Sequence, residues 1–327
     1  MAEGSNGIPV VVLGLGLIGR AIARAALEKP ELHLVGAVDP AHEGERLEEV
    51  LASPAPPLVV AADPERAYAG AAGGVAFVAT SSSFEAVLAD LERAARAGLS
   101  VVSTCEELAY PWLKYEEQAE ALDALCEARD IAVVGLGVNP GFALDRLPAF
   151  LSQVTGPVRH LRALRVQDLA ERRPALQRKV GAGLSEQAFH AAVDRGELGH
   201  VGLAESAMLA ALGCGFELDE VEEELVPLIA EEDHDRLPVR AGQVAGLRQL
   251  ARGYTDGAER VQLDLVIAAG AEDPRDEVEL DARPRVKLRL EGGLPGDEAT
   301  AWAVVNAAPA VTVLRGLVTV LDLPAGR

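Results

Sequence analysis

Up to residue 140, hydrophobic and polar positions follow two alternating rhythms. Short apolar runs rich in β-branched residues, at 8–13, 32–38, 75–80, 100–103 and 131–135, read as buried strands, with a further short one at 58–61. Between them, 18–28, 84–97 and 113–129 read as helices. In the second of these Phe84, Val87, Leu88, Leu91 and Ala95 recur near helical spacing. Strands alternating with helices predict a parallel sheet covered on both faces. The Pro/Ala-rich piece at 53–57 reads as a loop.

Past residue 141 the rhythm changes. A helix is predicted over 142–153, then a long strand over 158–166 with Arg159, His160, Arg162 and Arg165 interleaved. Helical segments follow at 185–195 and 203–212, and an acidic stretch at 217–235 reads as an exposed helix and loop. Runs 261–268 and 285–290 alternate apolar and polar residues, which predicts a mostly antiparallel sheet with one solvated face. A nearly uncharged helix at 298–308 is expected to be buried. The predicted organisation is α/β: a doubly wound parallel sheet over 1–140, an α+β domain over 141–296 that binds substrate and dimerises, and a helix and tail over 297–327 returning to the first domain.

Charge narrows the partners. Lys plus Arg is 30 and Asp plus Glu is 51 over 327 residues, a net charge of −21. Such a chain repels nucleic acid and anionic lipid, so neither is expected as a partner. Its apolar runs are too short to span a bilayer, and the first residues lack the pattern of a signal peptide. Cys105, Cys126 and Cys214 are odd in number and widely spaced, which points away from disulfides and metal and toward a reducing cytoplasm.

Gly14, Gly16 and Gly19 fit G-x-G-x-x-G between a predicted strand and a predicted helix. Gly14 makes the tight turn, Gly16 admits a pyrophosphate, and Gly19 permits close helix–strand packing. Leu17 and Ile18 open the helix whose positive end holds the phosphates. Asp39 follows Gly19 by twenty residues at the end of the second strand, where a carboxylate bonds the ribose hydroxyls. The pattern predicts a Rossmann-type dinucleotide site for NAD or NADP, the alternative being a glycine-rich turn in a non-binding α/β domain. Asp39 favours NAD by repelling a 2′-phosphate, while His42 and Arg46 are either an offset or a solvated loop. Thr80, Ser81 and Ser82 close a strand at the same edge, to meet the cofactor, to cap the helix at Phe84, or both.

Two more strand ends reach this edge, Thr104-Cys105-Glu106-Glu107 and Asn139-Pro140-Gly141-Phe142. A carboxylate at the first suits a general base or proton shuttle; the alternative for Glu106 or Glu107 is a first-turn acid complementing a helix dipole. Cys105 is a conceivable thiol nucleophile, but no activating His lies beside it.

The glycine motif, Ser103 through Glu107, Gly137 through Phe142 and Asp145 together resemble a known family. So do Lys179 through Leu184, Gly199 through Leu203 with Glu205-Ser206, and Gly242 through Gly246. Ala299-Thr300, Val304 through Asn306, Pro309, and Gly316-Leu317 through Pro324 complete the resemblance. It is to the 2,4-diaminopentanoate dehydrogenases and related NAD(P)-dependent amine dehydrogenases, within the dihydrodipicolinate-reductase-like superfamily. The resemblance implies reversible oxidative deamination of an amine to a ketone or aldehyde plus ammonia, with a glutamate of the Cys-Glu-Glu segment as active-site acid. In the related homoserine dehydrogenases a lysine falls at the position of Glu106, which selects Glu106 over Glu107. That replacement disfavours homoserine dehydrogenase activity, and the missing His-His pair disfavours dihydrodipicolinate reductase. Other readings within reach are a dehydrogenase of amino or hydroxy acids and a non-catalytic NAD-binding regulator.

Remaining candidates have competing roles. His200 and Phe142 are expected to line the substrate pocket, with a turn histidine as the alternative for His200. Asn139 and Pro140 are placed against the cofactor, or Asn139 caps a loop. Asn306, polar in a buried helix, needs a partner, either the cofactor or a first-domain loop. The basic run at 159–179 is expected to pair with acids at a solvated face or interface, although it is also a source of cations for a substrate carboxylate.

Overall fold

The structure, a computed structural model, describes residues 7–171 and 174–326. The chain divides into two units, 1–142 with 295–327, and 143–294. The first begins β1 (Ile8–Leu13), α1 (Leu17–Glu28), β2 (Leu32–Val38), α2 (Leu47–Leu51), α3 (Glu65–Ala69), β3 (Val75–Val78), α4 (Phe84–Arg96), β4 (Ser100–Ser103), α5 (Glu116–Arg129) and β5 (Ala132–Gly135). All residues of β3, β4 and β5 are buried, as a sheet covered on both faces requires. Helix α4 turns Phe84, Val87, Leu91, Ala94 and Ala95 inward, one apolar stripe at helical spacing.

Residues 58–61 are not a strand of this sheet. Only isolated bridges form, Val59 to Arg46 and Ala61 to Val38. Pro56, Pro57 and Pro64 crowd the segment and remove the donors a longer ladder needs.

The second unit comprises α6 (Arg146–Ser152), β6 (His160–Asp168), α7 (Pro174–Lys179), α8 (Glu186–Asp194), α9 (Leu203–Cys214), β7 (Glu220–Ile229), β8 (Val244–Thr255), β9 (Ala258–Ala268), β10 (Arg275–Asp281) and β11 (Val286–Glu291). Its sheet runs β11-β10-β6-β9-β8-β7 and is antiparallel except for the β6–β9 pair. Helix α9 packs on β7, β8 and β9, and α6 packs on β10. Leu161, Ala163, Leu247, Val261, Leu263, Leu265, Val278 and Leu280 form the buried core beneath them.

Three expectations are corrected here. The acidic stretch is not a helix and loop: β7 occupies it as an edge strand, where charges keep the edge from pairing further. The first helix starts at Arg146 rather than 142, because Asp145 caps it by accepting the Arg146 N–H at 2.6 Å. Arg165 does not point to solvent. It is wholly buried, its Nη1 meets both carboxylate oxygens of Asp276 at 2.7 Å, and its Nη2 donates to Leu294 O at 2.7 Å. The Leu294 N–H returns a bond to Asp276 Oδ2 at 2.8 Å, so this ion pair pins the strand of chain leaving the unit.

The chain then re-enters the first unit with α10 (Gly296–Val311) and β12 (Gly316–Val318), which completes a fully parallel sheet β12-β5-β4-β3-β1-β2. Helix α10 is largely buried and packs along α1. Among the described residues no helix is long and apolar enough to cross a membrane.

Candidate active site

In a parallel sheet every strand's carboxyl end lies at the same edge, and most predicted site residues follow those ends. At the end of β1 the three glycines differ in what surrounds them. Gly14 has φ of 82°, and a Cβ there would lie 2.6 Å from Ala79 O. A Cβ on Gly19 would lie 1.7 Å from Gly14 O, so α1 touches the turn directly. Around Gly16 a Cβ would meet nothing within 4 Å. Helix α1 also has no side-chain cap and no acid in its first turn, and Leu17 is 48% exposed. The amides at its positive end therefore face open space, a cradle fitted to a pyrophosphate.

Asp39 stands beside this cradle. Its Oδ2 accepts the Leu15 N–H at 2.7 Å and its Oδ1 accepts the Ala41 N–H at 2.9 Å. Each oxygen keeps acceptor capacity for a ribose hydroxyl. His42 contacts Glu45 at 3.0 Å and Arg46 contacts Glu48 at 2.8 Å, so each is already engaged by an acid.

The ends of β3 and β4 are stitched together. The Thr104 N–H donates to Val78 O at 3.0 Å, the Cys105 thiol to Ser82 O at 3.2 Å, and the Glu107 N–H to Ser82 O at 3.4 Å. Ser81 Oγ accepts the Ser83 N–H at 3.1 Å, and the exposed Thr80 donates to Asp90 at 3.3 Å. None of these hydroxyls caps α4. The cap comes from Glu107, whose Oε2 accepts the Phe84 N–H at 2.8 Å and the Tyr115 hydroxyl at 3.0 Å. Lys114 Nζ lies 3.7 Å from its Oε1. Burial, and after it the hydrogen bond to Glu107, pushes the Tyr115 hydroxyl up to about 12. Cys105 is buried, and burial pushes its thiol up to about 12, so it stays protonated and is a poor nucleophile. Glu106, between these two anchored residues, is half-buried with helical backbone angles.

At the end of β5 the Leu136 N–H donates to Ser103 O at 2.9 Å, joining this loop to β4. Half-buried Asn139 precedes Pro140 through a cis peptide, and Gly141 has φ of 126°, where a Cβ would lie 2.5 Å from Gly137 N. Thr300 at the start of α10 supports the loop by accepting the Val138 N–H at 3.1 Å. Sequence reading gave Thr300 no role, although it lies in a stretch of family resemblance.

Asn306 does not belong to this group. From Thr300, α10 runs to the opposite edge of the sheet, where Ser100 at the start of β4 donates to Val311 O at 3.1 Å. Asn306 Oδ1 there accepts from Lys29, just past the far end of α1, at 3.1 Å. Its partner is thus a first-domain loop, the one between α1 and β2 that carries Lys29, rather than the cofactor.

In the second unit His200 lies between Gly199, with φ of 114°, and Gly202, with φ of 99°, at the entry to α9. Gln249 clamps its backbone: Oε1 accepts the His200 N–H at 2.7 Å and Nε2 donates to His200 O at 2.9 Å. Gln249 is itself buried, and nothing in the sequence pattern marks it. Ser206 donates to Asp145 Oδ2 at 2.9 Å, joining the starts of α6 and α9. Phe142 is half-buried at the last residue of the first unit's leading segment. In the basic run, Arg159 pairs with Asp281 at 2.6 Å and Arg165 with Asp276; Arg172 and Arg173 lie outside the described residues.

Residues 142–327 match the family model described as the 2,4-diaminopentanoate dehydrogenase C-terminal domain. The chain is 27% identical to the 2,4-diaminopentanoate dehydrogenase of Acetoanaerobium sticklandii, over 98% of this chain and 94% of that one. Among solved structures it is similar to an amine dehydrogenase from Mycobacterium smegmatis, with a TM-score of 0.85 and 22% identity over 99% of this chain and 98% of that one. It also shares its fold with a dihydrodipicolinate reductase from Paenisporosarcina sp. TG-14, with a TM-score of 0.55 and 14% identity over 97% of this chain and 98% of that one.

Proposed function

Given that the chain belongs to the 2,4-diaminopentanoate dehydrogenase C-terminal domain family, we propose that it is an NAD(P)-dependent amine dehydrogenase in which Glu106 carries the proton. One observation carries the assignment: of the two acids on the β4 turn, Glu107 is committed to the α4 cap and Tyr115, which makes it the lesser candidate for the proton.

In the aminating direction a carbonyl, ammonium, a hydride and a proton give an alkylammonium and water. The nicotinamide cofactor supplies the hydride when bound. Gly14, Gly16, Gly19 and the first amides of α1, from Leu17 and Ile18, hold its pyrophosphate. Thr80, Ser81, Ser82, Thr104, Cys105, Asn139 and Pro140 form the strand-end rim that faces it. Asp39 holds the adenosine ribose and selects NAD, and the acids against His42 and Arg46 leave little to attract a 2′-phosphate. Glu106 takes a proton from ammonium, freeing ammonia to add to the carbonyl carbon. It returns that proton to the departing hydroxyl as water leaves, and its negative charge favours the iminium that remains. In the second unit His200 meets the substrate, with Gln249 fixing its backbone.

The second unit makes the homodimer. The face of its sheet opposite the helices carries half-buried Leu164 and Val266 at neighbouring register positions among charged residues. An isologous copy of that face covers them. Three buried free cysteines suit a reducing cytoplasm.

The test is Glu106→Gln. NADH binding, followed by fluorescence, stays within threefold, while amination of a ketone and aldehyde panel with ammonia falls by about 10²–10⁴-fold, the usual worth of a positioned acid–base group. A fully active variant rules out Glu106 as the proton carrier.

A further inference from the structure

We infer that Glu107 is a positioning residue: it ties the turn bearing Glu106 to the serine turn that starts α4. This rests on Glu106 being the proton carrier. Glu106 lies in the turn just past β4, which ends at Ser103. The residues on either side of it are anchored, Cys105 through Ser82 O, and Glu107 through Phe84 N–H and the Tyr115 hydroxyl. The backbone link from Glu107 N to Ser82 O is long, at 3.4 Å, so the shorter carboxylate bond to Phe84, at 2.8 Å, is the stronger of the two ties. Phe84 and Tyr115 rings pack with centroids 5.2 Å apart, which makes the anchor itself stiff.

The same carboxylate therefore touches three elements: the acid turn, the amino end of α4, and the approach to α5. Ser81 and Ser82 lie immediately before that end of α4. A shift of either turn moves Glu106 relative to the cofactor rim, and a misplacement of about 1 Å costs on the order of 10²-fold in rate. A single oxygen, Oε2, accepts both bonds. A glutamine amide oxygen has the same two lone pairs and accepts both as well. The positioning role thus needs an acceptor of this length, not a charge or a titrating proton.

The experiment compares Glu107→Gln, Glu107→Ala and Tyr115→Phe in the full chain, measuring kcat, KM for the carbonyl, the NADH Kd, the pH–rate profile and Tm. Glu107→Gln is expected to keep at least a third of the parent kcat and the shape of its pH profile. Glu107→Ala is expected to lose about 10- to 100-fold in kcat with KM changing under threefold. Tyr115→Phe, which removes one of the two bonds and leaves the ring packing, is expected to lose about three- to tenfold in kcat with Tm nearly unchanged. Glutamine as damaging as alanine, with a limb of the pH profile lost, overturns the inference and makes Glu107 a proton carrier. An alanine variant with the parent's kcat overturns it too, as does a fully active Tyr115→Phe if the alanine variant fails to fold. A parent enzyme that aminates nothing is a different failure, that of the functional reading.

Discussion

Placing one methyl group at two glycines of the same motif should have opposite effects. In Gly16→Ala the new Cβ meets no protein atom within 4 Å, and φ of −61° suits alanine. The fold should not suffer, and the loss of unfolded-state freedom should add about 0.4–1 kcal/mol of stability. The methyl instead enters the space before the α1 amides, where a pyrophosphate must approach. Losing one charge-assisted hydrogen bond there costs about 1.5–3 kcal/mol, or roughly 10- to 150-fold in NADH affinity. In Gly19→Ala the Cβ falls 1.7 Å from Gly14 O and 2.8 Å from its carbonyl carbon, both backbone atoms. Contact distance is reached only if α1 shifts away from the turn, an overpacking cost of about 1–3 kcal/mol. At roughly 2–4 °C per kcal/mol for a domain of this size, Tm should fall by several degrees. Differential scanning calorimetry and NADH fluorescence titration separate the two outcomes. An NADH Kd for Gly16→Ala equal to the parent's would refute the assignment of the cradle, and an undiminished Tm for Gly19→Ala would refute the packing argument.

Asp39→Ser should lower NAD efficiency and raise NADP efficiency, each by about tenfold, since a ribose bond and a repulsion disappear together; kcat/KM for the two cofactors reads it, and unchanged NAD kinetics would place the ribose elsewhere. Asp276→Ala strands the wholly buried Arg165, and removing one partner of such a pair costs about 3–5 kcal/mol. The lowest melting transition should then drop by on the order of 10 °C, and a shift of under 2 °C would contradict the burial. Light scattering at micromolar concentration and moderate salt should give twice the chain mass of 34.2 kDa, and the single-chain mass would exclude the dimer.

The first unit was legible because its strands are buried on both faces and so contain almost nothing but apolar residues, while the glycine spacing is dictated by backbone contacts. Much of the second unit was not. In β7, Glu222, Glu223 and Glu224 run together, which hides the alternation; Glu223 is matched by Gln249 Nε2 at 3.0 Å, from another strand. In β10 the charged outward positions are joined by Asp276 pointing inward, acceptable only because Arg165 meets it across the sheet. Strand β8 carries Gly246 and Gly253 where neighbouring strands or Leu218 press too close for a Cβ, and glycines in a strand weaken its signature. Each of these depends on a partner distant in sequence. At the site, the strand-end positions of Glu106 and Asn139 could be read from the rhythm alone. The commitment of Glu107 to α4, and of Asn306 to Lys29, required knowing which ends of the helices meet.

The re-entry of α10 and β12 has a consequence for how the chain is made. The second unit is a continuous segment, complete once its exit strand has been pinned by Arg165 and Asp276. The first is assembled from both ends of the chain. The first unit therefore cannot close until residues beyond 294 join it: without them β5 lacks its β12 neighbour and the sheet lacks the cover of α10. A chain truncated after Leu294 should carry a folded second unit beside an aggregation-prone first.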